Sequence, residues 1–351
     1  MQIRENVPLA PLTTLGIGGR ARFFTEARTE AEAREALSWA TERELPLFLL
    51  GGGSNLVIAD SGFPGLVLKI AIRGVEPGWE NGKRLYWVGA GETWDPFVLR
   101  TVADGSPGLA LLSGIPGTVG GTPIQNVGAY GAEVASSIRT VRALDRRNGR
   151  IVELSAAACS FGYRKSIFNT EEKERYLLLA VCYALPRDGD AKLRYPDLLS
   201  YFARKENPPS VKEIREAVLQ IRRSKAMLVS RDEEDSRSVG SFFKNPILEP
   251  AAFAELQERA EKRGLTPPSF PAGGGKRKVP AAWLVENAGF PKGLDRGSIG
   301  ISRFHALAIV NRGGATAAEV VAFMIEIQNA VEALFAVRLD PEPVFVGFES
   351  R

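Results

Sequence analysis

The chain has 351 residues, 44% of them hydrophobic and 25% charged, with 45 basic against 41 acidic side chains for a net charge of +4. That length exceeds one core of ordinary size and favours two or three domains, while no apolar run approaches the roughly 20 residues that a membrane span needs. Basic residues are scattered and Met1 to Leu15 lack a secretory pattern, so a soluble cytoplasmic protein that binds neither nucleic acid nor membrane is expected.

In chain order, Thr29-Glu30-Ala31-Glu32 is a capping box opening a helix from about Glu30 to Arg43, and the apolar run Leu47 to Leu50 reads as a strand. That strand enters Gly51-Gly52-Gly53-Ser54-Asn55, and a second run, Leu56 to Ile58, leaves it. Further strands are predicted at Leu66 to Ile70, Leu85 to Val88, Val141 to Leu144, Ile151 to Leu154 and Tyr176 to Tyr183. Cys159 and Cys182 have neither zinc nor disulfide-framework spacing and read as small buried hydrophobes, and no metal is expected. Composition shifts near Asn207-Pro208-Pro209, after which Ser210 to Glu213 is another capping box for a helix reaching about Lys225. Lys276-Arg277-Lys278 beside three glycines reads as a solvated loop near an anion site. Thr316 to Glu319 caps the longest helix, whose Val320, Phe323, Met324, Ile327, Val331 and Leu334 form one core-facing stripe.

Two segments carry too much glycine for ordinary connections: the one at 51–55 and Ser113-Gly114-Ile115-Pro116-Gly117-Thr118-Val119-Gly120-Gly121. Glycine permits positive φ and leaves amides uncovered, so such loops can converge several N–H groups on a pyrophosphate. A pair of tight hairpins is the plainer alternative. There is no GxxxxGK[ST] loop, and Gly16-Ile17-Gly18-Gly19 does not join a strand to a helix as a Rossmann turn would. A different flavin-binding architecture is therefore the better candidate.

These residues carry a resemblance. Thr13 to Gly19, Gly52 to Asn55, Gly117 to Gly121 and Gln125-Asn126-Val127-Gly128-Ala129-Tyr130-Gly131 are similar, in order and spacing, to the UDP-N-acetylenolpyruvoylglucosamine reductase (MurB) family of peptidoglycan synthesis. Phe161-Gly162-Tyr163-Arg164, Gly240 to Pro246, Ala282-Trp283-Leu284 and Pro341-Glu342 agree. The resemblance implies an α+β protein: a PCMH-type (vanillyl-alcohol-oxidase-like) FAD-binding fold in two subdomains, 1–72 with 338–351 and 73–209, plus an α+β substrate-binding domain at 210–337. It implies non-covalent FAD, held by Gly51, Gly52, Gly53, Ser54, Asn55, Ser113, Ile115, Pro116, Gly117, Thr118, Gly120, Gly121, Asn126, Gly128, Ala129 and Tyr130. The sole histidine, His305, lies far along the chain from both glycine loops and leaves no obvious donor for a covalent flavin bond.

The implied reaction passes a hydride from NADPH to FAD and from flavin N5 to C3 of the enolpyruvyl group of UDP-N-acetylglucosamine enolpyruvate, with a proton added at C2 to give UDP-N-acetylmuramate. An enolate forms beside an existing carboxylate, so a fixed cation, hydrogen-bond donors and a proton source are needed. Arg164 matches the arginine that holds the carboxylate and enolate oxygen, Ser241 the serine that protonates C2, and Glu342, between two prolines, the glutamate that assists the enolate. Read alone, the three are a surface arginine, a turn cap and an exposed acid. Ser241 is a weak acid that positive groups such as Lys244 would help.

Leu193 to Leu198 resembles the tyrosine loop of the type I branch, making Tyr195 a lid candidate. Tyr163, Arg222, Lys225, Asn245, Lys292 and His305 match further substrate contacts. Phe270 stands where some type I members have tyrosine and cannot donate a hydrogen bond; His305 stands where some have glutamine and reads as either a ligand contact or a structural histidine. A monomer with ping-pong kinetics is expected. Two rivals remain: a sugar or alcohol oxidase of the same fold, which would reduce oxygen and ignore NADPH, and a basic nucleic-acid-binding protein, which would show a steep salt slope.

Overall fold

The computed structural model describes residues 1–187, 193–230 and 232–348, which form two compact units of mixed helix and strand. The first comprises the described residues of 1–7, 21–53 and 64–228; the second comprises those of 8–20, 54–63 and 229–348. This division differs from the three domains expected from the sequence. Helix Val211–Ser224 belongs to the first unit because its Ile214, Ala217 and Val218 are buried in that unit's core. Residues 338–348 lie in the second unit, where Val344–Val346 pairs in parallel with Leu56–Ile58.

In the first unit, a four-stranded sheet has the order Arg4–Pro8, Arg20–Ala27, Phe63–Ile70, Leu47–Leu50. Leu47–Leu50 runs parallel to Phe63–Ile70. Helix Glu30–Thr41 buries Ala33, Ala36, Leu37 and Ala40 in a cluster with Leu66, Leu68 and Ile70. Thr29 caps it through Glu32 N, while the Glu32 carboxylate takes the Arg28 N–H, so the box closes one residue early. The other two capping boxes, at Ser210 and Thr316, are complete.

A second sheet, all antiparallel, has the order Arg150–Ser155, Ile138–Asp145, Tyr176–Pro186, Lys83–Gly89, Val75–Glu80. Side chains alternate faces along a strand. Leu177 and Leu179 accordingly enter the cluster of helix Glu30–Thr41, while Leu178 faces the other core, with Trp94, Phe97 and Val218. A register shift opposite Arg142 and Ala143 reverses that parity, so Val181, Tyr183 and Leu185 join the second core. Strand Val75–Glu80 contains Pro77 and Gly78, which a sheet tolerates at an edge, where this strand lies.

The second unit is built on helix Ala317–Phe335. Val320, Phe323, Ile327 and Val331 of the expected stripe are buried, and Met324 and Leu334 pack partly buried beside them. Helices Pro250–Glu261 and Ala281–Asn287 share this core. Asp60 accepts from Ala317 N at 2.8 Å and Ala318 N at 3.0 Å, placing a carboxylate on the helix N-terminus. The glycines at 16–19 serve packing here: a Cβ on Gly19 would lie 2.2 Å from Asp60 O. Arg277–Lys278 forms a short strand between Ile247–Leu248 and Phe270–Pro271, correcting the loop reading of that basic cluster. Arg277 donates to Ser269 Oγ at 2.7 Å. Among the described residues no helix is long and apolar enough to cross a membrane.

Candidate active site

Strand Leu47–Leu50 runs out into Gly51-Gly52-Gly53, where main chain meets main chain. A Cβ on Gly52 would lie 2.5 Å from Gly117 Cα, and one on Gly51 would lie 3.0 Å from Thr118 Oγ1. Gly117, with φ +118°, is held against residues 90–94: Trp94 N donates to Gly117 O at 3.1 Å, Val119 N to Glu92 O at 2.9 Å and Gly120 N to Ala90 O at 2.9 Å. Asp95 Oδ1 takes Gly114 N at 2.6 Å, and Ser113, buried, donates to Ala110 O at 2.6 Å. Ile115 and Pro116 are half-buried on the same loop. Two glycine loops with no Cβ between them leave a bare backbone cradle.

Beside this loop lies Arg222, which is 8% exposed; its Nε would be 3.2 Å from a Gly114 Cβ. Nη2 donates to Met227 O at 2.8 Å, whereas Nε is buried with no partner among the described residues. Burial pulls the guanidinium below its ordinary pKa. A bare backbone cradle that side chains would fill fits the pyrophosphate of the FAD implied by the resemblance, and the buried Arg222 N–H beside the second loop suits an anionic group.

Three of the singled-out side chains sit on left-handed backbone: Asn126 at φ +46°, Tyr130 at +52° and Arg164 at +54°. Such positions cost about 1 kcal/mol or more in non-glycine residues and gather at functional sites. Tyr130 and Gly131 form the turn between the paired strands Gly128–Ala129 and Ala132–Glu133. The Asn126 amide is engaged on all sides, donating to Glu133 Oε2 at 2.8 Å and Gly162 O at 2.9 Å and accepting from Ala135 N at 3.0 Å. It ties the 126–135 hairpin to the turn carrying Tyr163 and Arg164. That turn closes through Gly162 N to Lys165 O at 2.9 Å and the reverse bond at 3.1 Å. Arg164 Nη2 donates to Gly128 O at 3.0 Å, with its guanidinium 5.4 Å from the Tyr163 ring centre.

Tyr195, 39% exposed, precedes helix Pro196–Tyr201 and meets Tyr130 edge to face with centroids 5.3 Å apart. Burial raises the Tyr130 hydroxyl pKa. Lys225 pairs with Asp197 of that helix. Burial opposes the Lys225 charge, yet Asp197 outweighs it and holds the ammonium above the usual lysine range. The structure thus gathers Tyr130, Tyr195 and Lys225 around one short helix.

In the second unit, Gly240 at φ +76° turns the chain into Ser241. Phe242 N donates to Leu307 O at 2.8 Å, Glu342 N to Phe242 O at 2.8 Å and Lys244 N to Asp340 O at 2.9 Å. Ser241 and Glu342 thereby come onto adjoining paired segments, and the 305–308 loop flanks the other side. Ser241 Oγ lies 3.0 Å from His305 Nε2. Asn55 Nδ2 donates to Glu342 O at 3.2 Å, and Val344 N to Asn55 O at 2.9 Å. Asn245 Oδ1 accepts from Ala281 N at 2.8 Å, capping the next helix. Lys292 is half exposed, 3.9 Å from Glu286, and Phe270 is 54% exposed.

Sequence reasoning missed Asp235. Its side chain is fully buried and accepts from Ser302 Oγ at 3.0 Å and Arg303 N at 2.7 Å, with Arg312 Nη1 at 3.4 Å. It fixes the loop that carries His305. Asp95 was missed too, since its partner Arg215 is far along the chain. Neither acid belongs to a motif, and only folding reveals its cation.

The family described as "UDP-N-acetylenolpyruvoylglucosamine reductase, C-terminal domain" matches residues 232–346, and the one described as "FAD binding domain" matches residues 21–155. The chain is 43% identical over 349 residues to UDP-N-acetylenolpyruvoylglucosamine reductase of Thermobifida fusca, covering 98% of each chain. It is 45% identical over 355 residues to that of Streptomyces coelicolor, covering 99% of this chain and 91% of that one. The crystal structure of the reductase from Thermus caldophilus is similar at TM-score 0.65 and 25% identity, covering 99% of both chains.

Proposed function

Because the chain belongs to the UDP-N-acetylenolpyruvoylglucosamine reductase family, we propose that it uses NADPH to reduce UDP-N-acetylglucosamine enolpyruvate to UDP-N-acetylmuramate in the cytoplasm, as a monomer. Membership makes it an FAD-dependent oxidoreductase of peptidoglycan precursor synthesis, with the expected PCMH-type FAD-binding fold. FAD, when bound, supplies the hydride that reduces the enolpyruvyl group.

The chain's own residues do the rest. Amides of the 51–55 and 113–121 loops hold the FAD pyrophosphate. The Arg164 fork binds the substrate carboxylate and the oxygen on which enolate charge develops, a planar anion that suits guanidinium better than ammonium. Ser241 delivers its proton to C2, and Glu342 polarises the enolate from the adjoining segment. Tyr163, Tyr195, Arg222, Lys225, Asn245, Lys292 and His305 line the UDP-sugar. NADPH and the UDP-sugar use one pocket in turn.

The observation that carries this reading is the backbone bond from Glu342 to Phe242, which draws a serine and a glutamate from distant stretches of chain together. Anaerobic stopped-flow tests it: NADPH bleaches the flavin absorbance of the yellow protein, and UDP-N-acetylglucosamine enolpyruvate restores it. A protein that oxygen reoxidises at once and NADPH does not bleach belongs to the oxidase reading instead.

A further inference from the structure

We propose that His305 is a positioning residue for Ser241: its Nε2–H donates to Ser241 Oγ, aims the hydroxyl proton away from the ring toward the substrate carbon, and holds the charge left on oxygen. The inference rests on the acid role of Ser241. A serine hydroxyl has one proton and two lone pairs. If Nε2 accepted, the proton would be directed at the ring and Ser241 would be prepared as a base. An acid needs the opposite tautomer, in which the bond at 3.0 Å is donated by nitrogen.

The frame holding the pair is rigid on both sides. Phe242 N to Leu307 O, at 2.8 Å, fixes the serine's neighbour to the histidine's loop. Within that loop Ala308 N donates to His305 O at 3.1 Å and Ser302 N to Ala308 O at 2.9 Å. Buried Asp235 anchors its start through Ser302 Oγ and Arg303 N. A side chain so constrained need not reorganise when charge appears, which is what makes a preorganised donor effective. In the step, the Ser241 O–H bond breaks as the C–H bond at C2 forms. The electron pair stays on Oγ under the Nε2–H bond until a solvent proton restores the hydroxyl.

The test compares His305→Phe, which keeps the ring and removes the donor, with His305→Gln, whose amide nitrogen can donate to the same oxygen. Reduced enzyme is mixed with UDP-N-acetylglucosamine enolpyruvate under anaerobic conditions, and flavin reoxidation is followed in H2O and D2O. Loss of one preorganised donor predicts a roughly 100-fold slower reoxidation in the Phe variant, with kcat falling more than KM rises and a larger solvent isotope effect. The Gln variant, which keeps a donor to the same oxygen, is expected to recover at least about tenfold of the rate lost in the Phe variant. Should the Phe variant fail to fold, His305→Ala carries the test, with added imidazole expected to restore reoxidation. Equal rates in Phe and Gln variants, or no response to imidazole, overturn the proposal. A wild-type enzyme that the substrate does not reoxidise overturns the substrate reading first, and the positioning role with it.

Discussion

Arg215 and Asp95 face each other as a fork on a carboxylate, with Nη1–Oδ1 and Nη2–Oδ2 both at 2.7 Å, and the same Oδ1 also takes the amide of Gly114. A helix of the 211–224 segment is thus wired to a glycine loop through one aspartate. Asp95 is one-third exposed while Arg215 is nearly buried. Arg215→Ala is therefore expected to destabilise by about 2 kcal/mol, less than a fully buried pair would lose. Urea denaturation followed by tryptophan fluorescence measures it, and a change below about 0.5 kcal/mol would refute the assignment.

Asp235 sets an acid limit on stability. Burial works against its charge, but bonds from Arg303 and Ser302 outweigh this, so its pKa lies below the ordinary aspartate value. A depressed folded pKa contributes stability that is present above the unfolded value of about 3.9 and is lost as pH falls through the folded one. Wild-type melting temperature should accordingly drop below about pH 4. Asp235→Asn should be destabilised near neutral pH and show a shallower acid decline.

Gly52→Ala would press a methyl onto the Gly117 backbone, so one of the two loops must move. Purified Gly52→Ala is expected to be pale, with FAD occupancy below about a tenth of wild type under equal conditions. Gly78→Ala meets only Leu85 Cβ at 3.6 Å, an ordinary contact, and should remain yellow. Equal flavin absorbance in both variants would argue that the cradle does not hold the cofactor.

Ser241→Ala removes the proposed proton source and leaves the glycine loops untouched. Flavin reduction by NADPH should proceed near the wild-type rate, while turnover with the enolpyruvyl substrate falls about 100-fold or more. Normal turnover would transfer the acid role elsewhere.

Tyr195→Ala removes the ring that meets Tyr130 and should raise KM for the UDP-sugar about tenfold with little change in kcat; Tyr195→Phe should retain the edge contact and most of the affinity. Steady-state kinetics at fixed NADPH separates the two.

Apolar runs made seven strands legible, fewer than half of those present: Leu47–Leu50 and Leu56–Ile58 occur as expected, and Ile138–Asp145 and Tyr176–Pro186 extend the predicted runs. Strand Arg20–Ala27 was missed because charged residues interrupt its apolar alternation, and helix Trp94–Ala103 because Pro96 near its start reads as a breaker although the first turn tolerates it. Of the proposed site, the glycine loops stood out by composition alone. Arg164, Ser241 and Glu342 were legible only through motif resemblance. The bond between Ser241 and His305 was invisible, since it joins two loops through Leu307 and a buried aspartate that no local pattern marks.

The parallel pairing of Leu56–Ile58 with Val344–Val346 carries a consequence for synthesis. A strand translated early must wait, with its edge open, for one translated nearly three hundred residues later. Contacts of such wide sequence separation form slowly and leave apolar edges open to aggregation meanwhile. Premature termination before Val344 would leave that edge permanently unpaired, so truncated chains should require chaperones or be cleared by proteases.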